Sequence, residues 1–180
     1  MEKEEVFSEV IQSNRRGEVE FDERLKNFCS AIWRIKKDGS QTNIFSNTYM
    51  ITGSIGEYYI SKILGTEFND KIFLGGDGGK DCIWRNKRIS VKSSSANIDY
   101  NNGRFPKLCF FIDEELSSDY YVLVSVAGGR SVYYPTIIGW ATLEDINKKK
   151  VIENGYPRSC SGSTERYVVT MSNLRDSLLK

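Results

Sequence analysis

Two side chains in one short stretch of the chain carry the most obvious chemistry: the carboxylate of Asp81 and the ammonium of Lys92. Residues 75–79 are rich in glycine and let the backbone reverse, because glycine adopts positive φ at little steric cost. Residues 80–84 and 88–92 then predict two strands joined by a polar turn at 85–87. The pattern therefore predicts a hairpin with an acid on one strand and a lysine on the other.

The alternation of side chains along a strand decides which of these groups can meet. Ser90 and Lys92 share one face of the second predicted strand, and Ile89 and Val91 share the other. If Asp81 lies on the face of Ser90 and Lys92, an acid and an ammonium converge beside a turn rich in backbone groups. A hard cation and a phosphate require such a combination, so the pattern indicates metal-assisted hydrolysis of a phosphodiester.

These residues resemble a known family, the PD-(D/E)XK nucleases of restriction-endonuclease-like fold. More narrowly, they are similar to small phage and bacterial members in which Gly-Asp-Gly-Gly-x-Asp precedes a short hairpin and an acid-x-Lys pattern. The resemblance runs from about residue 53 to 142 and implies an α/β fold, with a mixed β-sheet flanked by helices. It makes Asp81 the first motif acid and Lys92 the motif lysine, and it matches Glu57, on a helix predicted at 54–65, to the family's helix glutamate.

The resemblance implies a deoxyribonuclease that depends on Mg²⁺ or Mn²⁺. Asp81, Glu57 and the carbonyl of Val91 would hold the ion, while Lys92 would orient the attacking water and offset charge on phosphorus. DNA is the implied partner, and the family often acts as a homodimer. Side chains of the hairpin and of the segment after it are candidates for contacts with the nucleic-acid backbone, namely Arg85, Lys87, Arg88, Ser93 and Ser94.

One position departs from the family's pattern, because Ser90 stands where the family has Asp or Glu. A serine hydroxyl offers a metal a neutral oxygen but no charge, so it weakens the predicted site electrostatically. The main alternative is therefore a catalytically inactive protein that keeps the fold and binds DNA or a partner protein. A third alternative is an unrelated α/β interaction module without a phosphate site.

The candidate residues also have purely structural interpretations. Ser54 and Glu57 fit a capping box, in which Glu57 would satisfy the first turn of its helix. Asp81 fits a turn in a glycine-rich loop, and Lys92 fits an exposed lysine on an edge strand. The charges at 85–88 fit an ordinary polar hairpin tip.

Composition narrows the possible classes of function. The 180 residues include no histidine, which excludes serine and cysteine hydrolases that need an imidazole base, and HExxH metalloproteases. A formal net charge of +1 means that any nucleic-acid surface must be local. The wide spacing of the cysteines predicts reduced, mostly buried thiols rather than a metal or disulfide framework, at Cys29, Cys82, Cys109 and Cys160.

The chain shows no apolar run long enough to span a bilayer and no secretory signal at its acidic start, so we expect a cytoplasmic protein. The family resemblance implies that the cell is bacterial or a phage-infected host. One domain is expected over residues 1–180. It would comprise an N-terminal helical extension at 1–50, a nuclease-like core at 53–142 and a C-terminal helix, strand and helix at 143–180.

Hydrophobic periodicity places the remaining elements. Residues 21–37 predict an amphipathic helix, and residues 120–126 predict a central strand because nearly all of them are β-branched or aromatic. The other predicted elements are helices at 2–11, 143–150 and 172–179 and strands at 108–112, 133–140 and 166–170.

Overall fold

The computed structural model describes residues 3–38, 47–68, 81–95, 106–111, 115–154 and 165–178. The helices in these ranges are α1 (Lys3–Ser13), α2 (Glu23–Asp38), α3 (Asn47–Leu64) and α4 (Leu143–Lys149). The strands are β1 (Val19–Glu20), β2 (Cys82–Trp84), β3 (Lys87–Ser94), β4 (Leu108–Phe111), β5 (Tyr120–Gly129), β6 (Val132–Thr142), β7 (Val151–Glu153) and β8 (Arg166–Val169).

Two sheets organise these elements. The larger has five strands in the order β1-β6-β5-β3-β2, in which β3 and β5 are parallel and the other neighbouring pairs are antiparallel. The smaller is antiparallel and has the order β4-β8-β7. The α/β class predicted from the sequence, with a mixed sheet and packed helices, is confirmed.

β5 is buried on both of its faces. Tyr120 and Val122 belong to the apolar cluster that the larger sheet shares with α1, α2 and α3. Tyr121 and Leu123 belong to a second cluster, shared with β4, α4 and the C-terminal segment. An uninterrupted apolar strand is typical of such double burial, so the prediction of a central strand at 120–126 is confirmed.

α1 packs into the main core. The ring of Phe7 is fully buried, and its centroid lies 5.4 Å from that of Trp84, 4.6 Å from that of Tyr120 and 5.0 Å from that of Trp140. Ile11, one turn later, is also fully buried. Burial of each such side chain contributes about 1.5–3 kcal/mol, so this N-terminal helix is an integral part of the fold.

α3 begins earlier than the sequence predicts. The predicted loop extends to residue 49 and the predicted helix starts at Ser54, but the helix already begins at Asn47. Met50 and Thr52 are buried in the packed face, and tertiary packing of this kind extends a helix beyond its local start signals. Because Ser54 lies inside the helix, the capping-box interpretation of Glu57 is wrong.

The helix predicted at 172–179 is also wrong over its described residues, 172–178. A single 3₁₀ turn spans Met171–Asn173, and Arg175 then forms an antiparallel bridge with Trp140. The Trp140 N–H donates to the Arg175 carbonyl at 3.1 Å, and the Arg175 N–H donates to the Trp140 carbonyl at 2.7 Å. Pairing with β6 outcompetes a helix that would be too short to be stable by itself.

Asp176 joins α1 to this C-terminal segment. Its carboxylate accepts hydrogen bonds from Ser8 Oγ at 2.5 Å, from Gln12 Nε2 at 2.7 Å and from Trp140 Nε1 at 2.6 Å. Burial alone would raise the pKa of Asp176, but these hydrogen bonds hold the pKa below its ordinary value. The ionised carboxylate therefore stabilises the fold, and this contribution is lost as the pH falls through the lowered pKa.

We expect Asp176→Asn to lower the free energy of unfolding by roughly 1–3 kcal/mol at pH 7, because an amide NH₂ would face groups that themselves donate hydrogen bonds. Asparagine tolerates the φ of 50° at this position, so the substitution adds no backbone strain. The difference from the wild type should shrink as the pH falls through the lowered pKa of Asp176, because protonation removes the charge that accepts these hydrogen bonds. Urea unfolding at pH 7 and pH 3 measures both effects, and equal stability at pH 7 would contradict the role of the carboxylate.

Candidate active site

The predicted hairpin is present as β2 and β3. Cys82 pairs with Ile89 and Trp84 pairs with Lys87, so the turn consists of Arg85 and Asn86. Their φ values of 48° and 65° are those of a two-residue type I′ turn, which matches the twist of the flanking strands. Lys87, predicted in the turn, belongs to β3, and residues 69–80, including the glycine-rich stretch, lie outside the described residues.

The two faces of β3 carry different chemistry. Ile89 and Val91 pack in the cluster that contains the apolar side chains of α3. By alternation, Ser90 and Lys92 lie on the other face, where the Lys92 Nζ is 5.4 Å from the centroid of the Phe110 ring. Ser90 is only 2% exposed, whereas Lys92 is partly exposed. Ser90 and Lys92 thus share a face, as the sequence predicts.

Asp81 lies just before β2 and bonds directly to β3. Its N–H donates to the Ile89 carbonyl at 2.8 Å, and its carboxylate accepts a hydrogen bond from the Val91 N–H at 2.5 Å. The N–H and C=O of one residue point to the same side of a strand, so the Val91 carbonyl is directed toward the edge on which Asp81 lies. A carboxylate and a backbone carbonyl therefore converge at this edge.

Glu57 lies on the helix side of the same region. Burial raises the pKa of the Cys82 thiol to about 11, and the negative charges of Asp81 and then Glu57 add to the rise. The charge of Glu57 also adds to the rise in the pKa of Cys29 on α2, whose main cause is burial. Cys82 and Cys29 are buried, reduced thiols and Cys109 is reduced and partly buried, while Cys160 lies outside the described residues.

The edge of β3 carries the contact between Asp81 and Val91. β2 pairs with β3 only as far as Ile89, so Val91 and Ser93 extend past the described part of β2. Asp81 lies in the plane of the sheet, Glu57 comes from the α3 side, and Lys92 extends on the face of Phe110. The fold thus joins Asp81 to Val91 and brings Glu57 and Lys92 to opposite sides of the same strand.

The cations of the hairpin differ in their surroundings. Lys87 Nζ lies 3.1 Å from Asp119 Oδ1, while the Arg88 N–H donates to Asp119 Oδ2 at 2.8 Å. Burial alone would raise the pKa of Asp119, but the bonds and charges of Arg88 and Lys87 lower it. Arg85 is exposed, with its guanidinium 4.8 Å from the centroid of the Trp84 ring. Asp119 was missed from the sequence, because no local pattern connects it to a hairpin so far away along the chain.

The serines after Lys92 lie on different faces of β3. The Ser93 hydroxyl is buried against Gly56 of α3 and has no hydrogen-bond partner within the described part of the chain. Ser94 follows on the face of Lys92 and is partly exposed. Of the two predicted backbone-binding hydroxyls, only that of Ser94 therefore lies on the face of the motif lysine.

The donor set at this edge fits a hard divalent cation. No three cysteine, aspartate or glutamate side chains form a cluster for a metal in the ranges that the structure describes. The oxygens of Asp81, Glu57 and the Val91 carbonyl are nevertheless the donor type that Mg²⁺ takes, since this ion is usually held by one or two carboxylates together with waters and substrate phosphates. Asp81 and the Val91 carbonyl, which are joined through the Val91 N–H, can therefore provide part of a coordination shell.

We expect Asp81→Ala to lower the free energy of unfolding by roughly 1–3 kcal/mol, because the Val91 N–H would lose its acceptor. Asp81→Asn keeps a carbonyl oxygen at the same place and should remain close to the wild type in stability. Urea unfolding of the three proteins without added metal measures the difference. An alanine variant as stable as the asparagine variant would contradict the bond to Val91.

Comparison with protein families, curated proteins and solved structures finds no match for this chain. Among the helices of the described ranges, none is long and apolar enough to cross a membrane. The candidate site is therefore defined by the geometry of α3 and the β2–β3 hairpin.

Proposed function

We propose that this chain is a metal-dependent deoxyribonuclease of restriction-endonuclease-like fold, which acts in the cytoplasm of a bacterial cell or a phage-infected host. The observation that carries the proposal is the hydrogen bond from the Val91 N–H to the carboxylate of Asp81, one residue before Lys92. This bond keeps an acidic oxygen beside the edge to which the Val91 carbonyl is directed. The ammonium of Lys92 belongs to the next residue. Metal-assisted phosphodiester hydrolysis uses a carboxylate, a neutral oxygen and a cation of these kinds.

Mg²⁺ or Mn²⁺ is the ion that suits these donors. Asp81, Glu57 and the Val91 carbonyl would hold it through oxygen. When bound, a divalent ion polarises the phosphoryl group and lowers the pKa of water. The bond to Val91 restricts the Asp81 carboxylate to one orientation, so little reorganisation is needed on binding.

Lys92 has an electrostatic role in this mechanism. Its ammonium offsets the negative charge that grows on the phosphoryl oxygens in the transition state and orients the attacking water. The ring of Phe110 lies 5.4 Å from Nζ and favours this position of the cation. Ser90, buried on the same face, contributes a neutral hydroxyl where the resembled family has a carboxylate.

Recognition of DNA would begin at the hairpin tip. Arg85 is exposed there and is the best placed of the three cations for a phosphate contact. Lys87 and Arg88 are paired with Asp119, so they hold the tip against β5 and add positive potential around it. These contacts go to the backbone and would position DNA without selecting its sequence.

A catalytically inactive protein that binds DNA or a partner protein through the same fold is the second candidate. The observation that favours it is Ser90, whose hydroxyl is 2% exposed and brings no charge to the site. Such a protein would bind DNA equally well with and without a divalent ion.

We expect the wild type to nick supercoiled plasmid with Mg²⁺ or Mn²⁺ and to lose the activity in EDTA. Asp81→Asn and Lys92→Met should each lower the rate by roughly a hundredfold or more, because each removes charge that stabilises the transition state. Lys148→Met is the matched control, since Lys148 is an exposed lysine of α4 paired only with the exposed Glu144 in the described structure.

The outcomes of this assay separate the two candidates. Wild-type activity in the site variants would overturn the assignment of catalytic residues and point to a contaminating nuclease. A wild type that binds DNA with or without Mn²⁺ but never nicks it would favour the inactive protein.

A carboxylate at position 90 should strengthen the site. Ser90→Asp buries a charge, so we expect a lower thermal midpoint than the wild type without metal. Mn²⁺ should then raise the midpoint more than it does in the wild type, because the ion binds the native state, and the nicking rate should rise. Ser90→Asn is the uncharged control. Loss of cleavage together with an unchanged response to Mn²⁺ would contradict the placement of position 90 in the candidate site.

A further inference from the structure

We propose that the close contact between Gly56 on α3 and Ser93 on β3 positions Glu57 at the candidate site, which makes Gly56 a positioning residue. The inference rests on the proposed function, because it concerns how the carboxylate of Glu57 reaches the ion-binding groups. Gly56 immediately precedes Glu57, and Ser93 immediately follows Lys92. A single contact therefore joins the two segments that carry site residues.

The structure leaves no room for a side chain at Gly56. A Cβ there would lie 2.0 Å from Ser93 Oγ, 3.2 Å from Ser93 Cβ and 3.5 Å from Val91 Cγ1. At Gly53, one turn earlier, the nearest such atom is Glu57 Oε1 at 3.9 Å, which is an ordinary contact. The close approach to β3 thus occurs at Gly56, beside Glu57, and not at the preceding glycine.

Both partners of this contact are unfavourable for stability when considered one at a time. Glycine is a poor residue for a helix interior, where alanine is the best. The Ser93 hydroxyl is buried without a hydrogen-bond partner among the described residues, which leaves its desolvation uncompensated. What the pair provides is a short distance between α3 and the strand of Val91 and Lys92. Local costs of this kind concentrate at functional sites.

The distance between α3 and β3 controls where Glu57 lies. Glu57 directly follows Gly56 on α3, so any shift of the helix at Gly56 also moves the backbone that carries the Glu57 carboxylate. A methyl group at Gly56 would push α3 away from β3 or force Ser93 to rearrange. Functional groups must keep their positions to within about 0.5 Å, so even a small displacement of α3 would weaken binding of the ion.

A double-substitution cycle tests the inference, with Gly56→Ala, Ser93→Ala and the two combined. Four quantities are measured: the thermal midpoint without metal, the rise in midpoint with Mn²⁺, and kcat and KM for plasmid nicking. Gly56→Ala should lower the midpoint by roughly 3–8 °C through overpacking, reduce the response to Mn²⁺ and lower kcat at least about tenfold. Ser93→Ala should leave the midpoint unchanged or raise it.

Combining the substitutions should restore the midpoint, the response to Mn²⁺ and kcat to within about twofold of the wild type, because Ser93→Ala removes the atom that clashes. Gly53→Ala is the matched control on the same helix, and it should equal or exceed the wild type in stability while responding to Mn²⁺ normally.

The possible failures are distinguishable. A Gly56→Ala protein with a wild-type midpoint and response to Mn²⁺ overturns the inference, and so does a double variant that recovers its midpoint but not its response to Mn²⁺ or its kcat. A wild type that neither responds to Mn²⁺ nor nicks DNA overturns the proposed function, and the positioning role with it. In that event the midpoints alone still report whether Gly56 and Ser93 are in contact.

Discussion

The burial of Ile89 and Val91 against the helices is the interaction on which the candidate site depends. Ile89 is fully buried and Val91 is 7% exposed, and burial of each contributes about 1.5–3 kcal/mol. Because side chains alternate along a strand, this burial also assigns Ser90 and Lys92 to the other face. A slip of one residue would exchange the two sets. The parallel pairing of β3 with β5 holds β3 in this same register.

The shortness of β2 creates a site at the edge of the sheet. Beyond Ile89, the backbone groups of β3 on that side need partners other than β2, and the Asp81 carboxylate provides one for the Val91 N–H. Glu57 can approach this edge from the helices, and Lys92 from the face of Phe110. Asp81, Glu57 and Lys92 are each only partly buried, which limits the cost of removing their charges from water.

Asp119 connects the hairpin to the rest of the fold. Its carboxylate holds Lys87 and Arg88, its N–H donates to the Arg88 carbonyl at 2.9 Å, and its carbonyl accepts from the Leu143 N–H at 3.3 Å. The start of α4, the start of β5 and the hairpin tip therefore meet at one residue. The cations that give the tip its positive potential also fix the orientation of the hairpin, so their structural and recognition roles coincide.

The sequence by itself determined the α/β class, the β2–β3 hairpin, the two faces of β3 and the central position of β5, because alternation and turn preferences act between neighbouring residues. Tertiary structure decided the bond of Asp81 to Val91, the pairing of Asp119 with the hairpin and the contact of Gly56 with Ser93. It also extended α3 to residue 47 and replaced the predicted closing helix by pairing with β6. These features depend on packing between segments distant along the chain, which overrides weak local propensity.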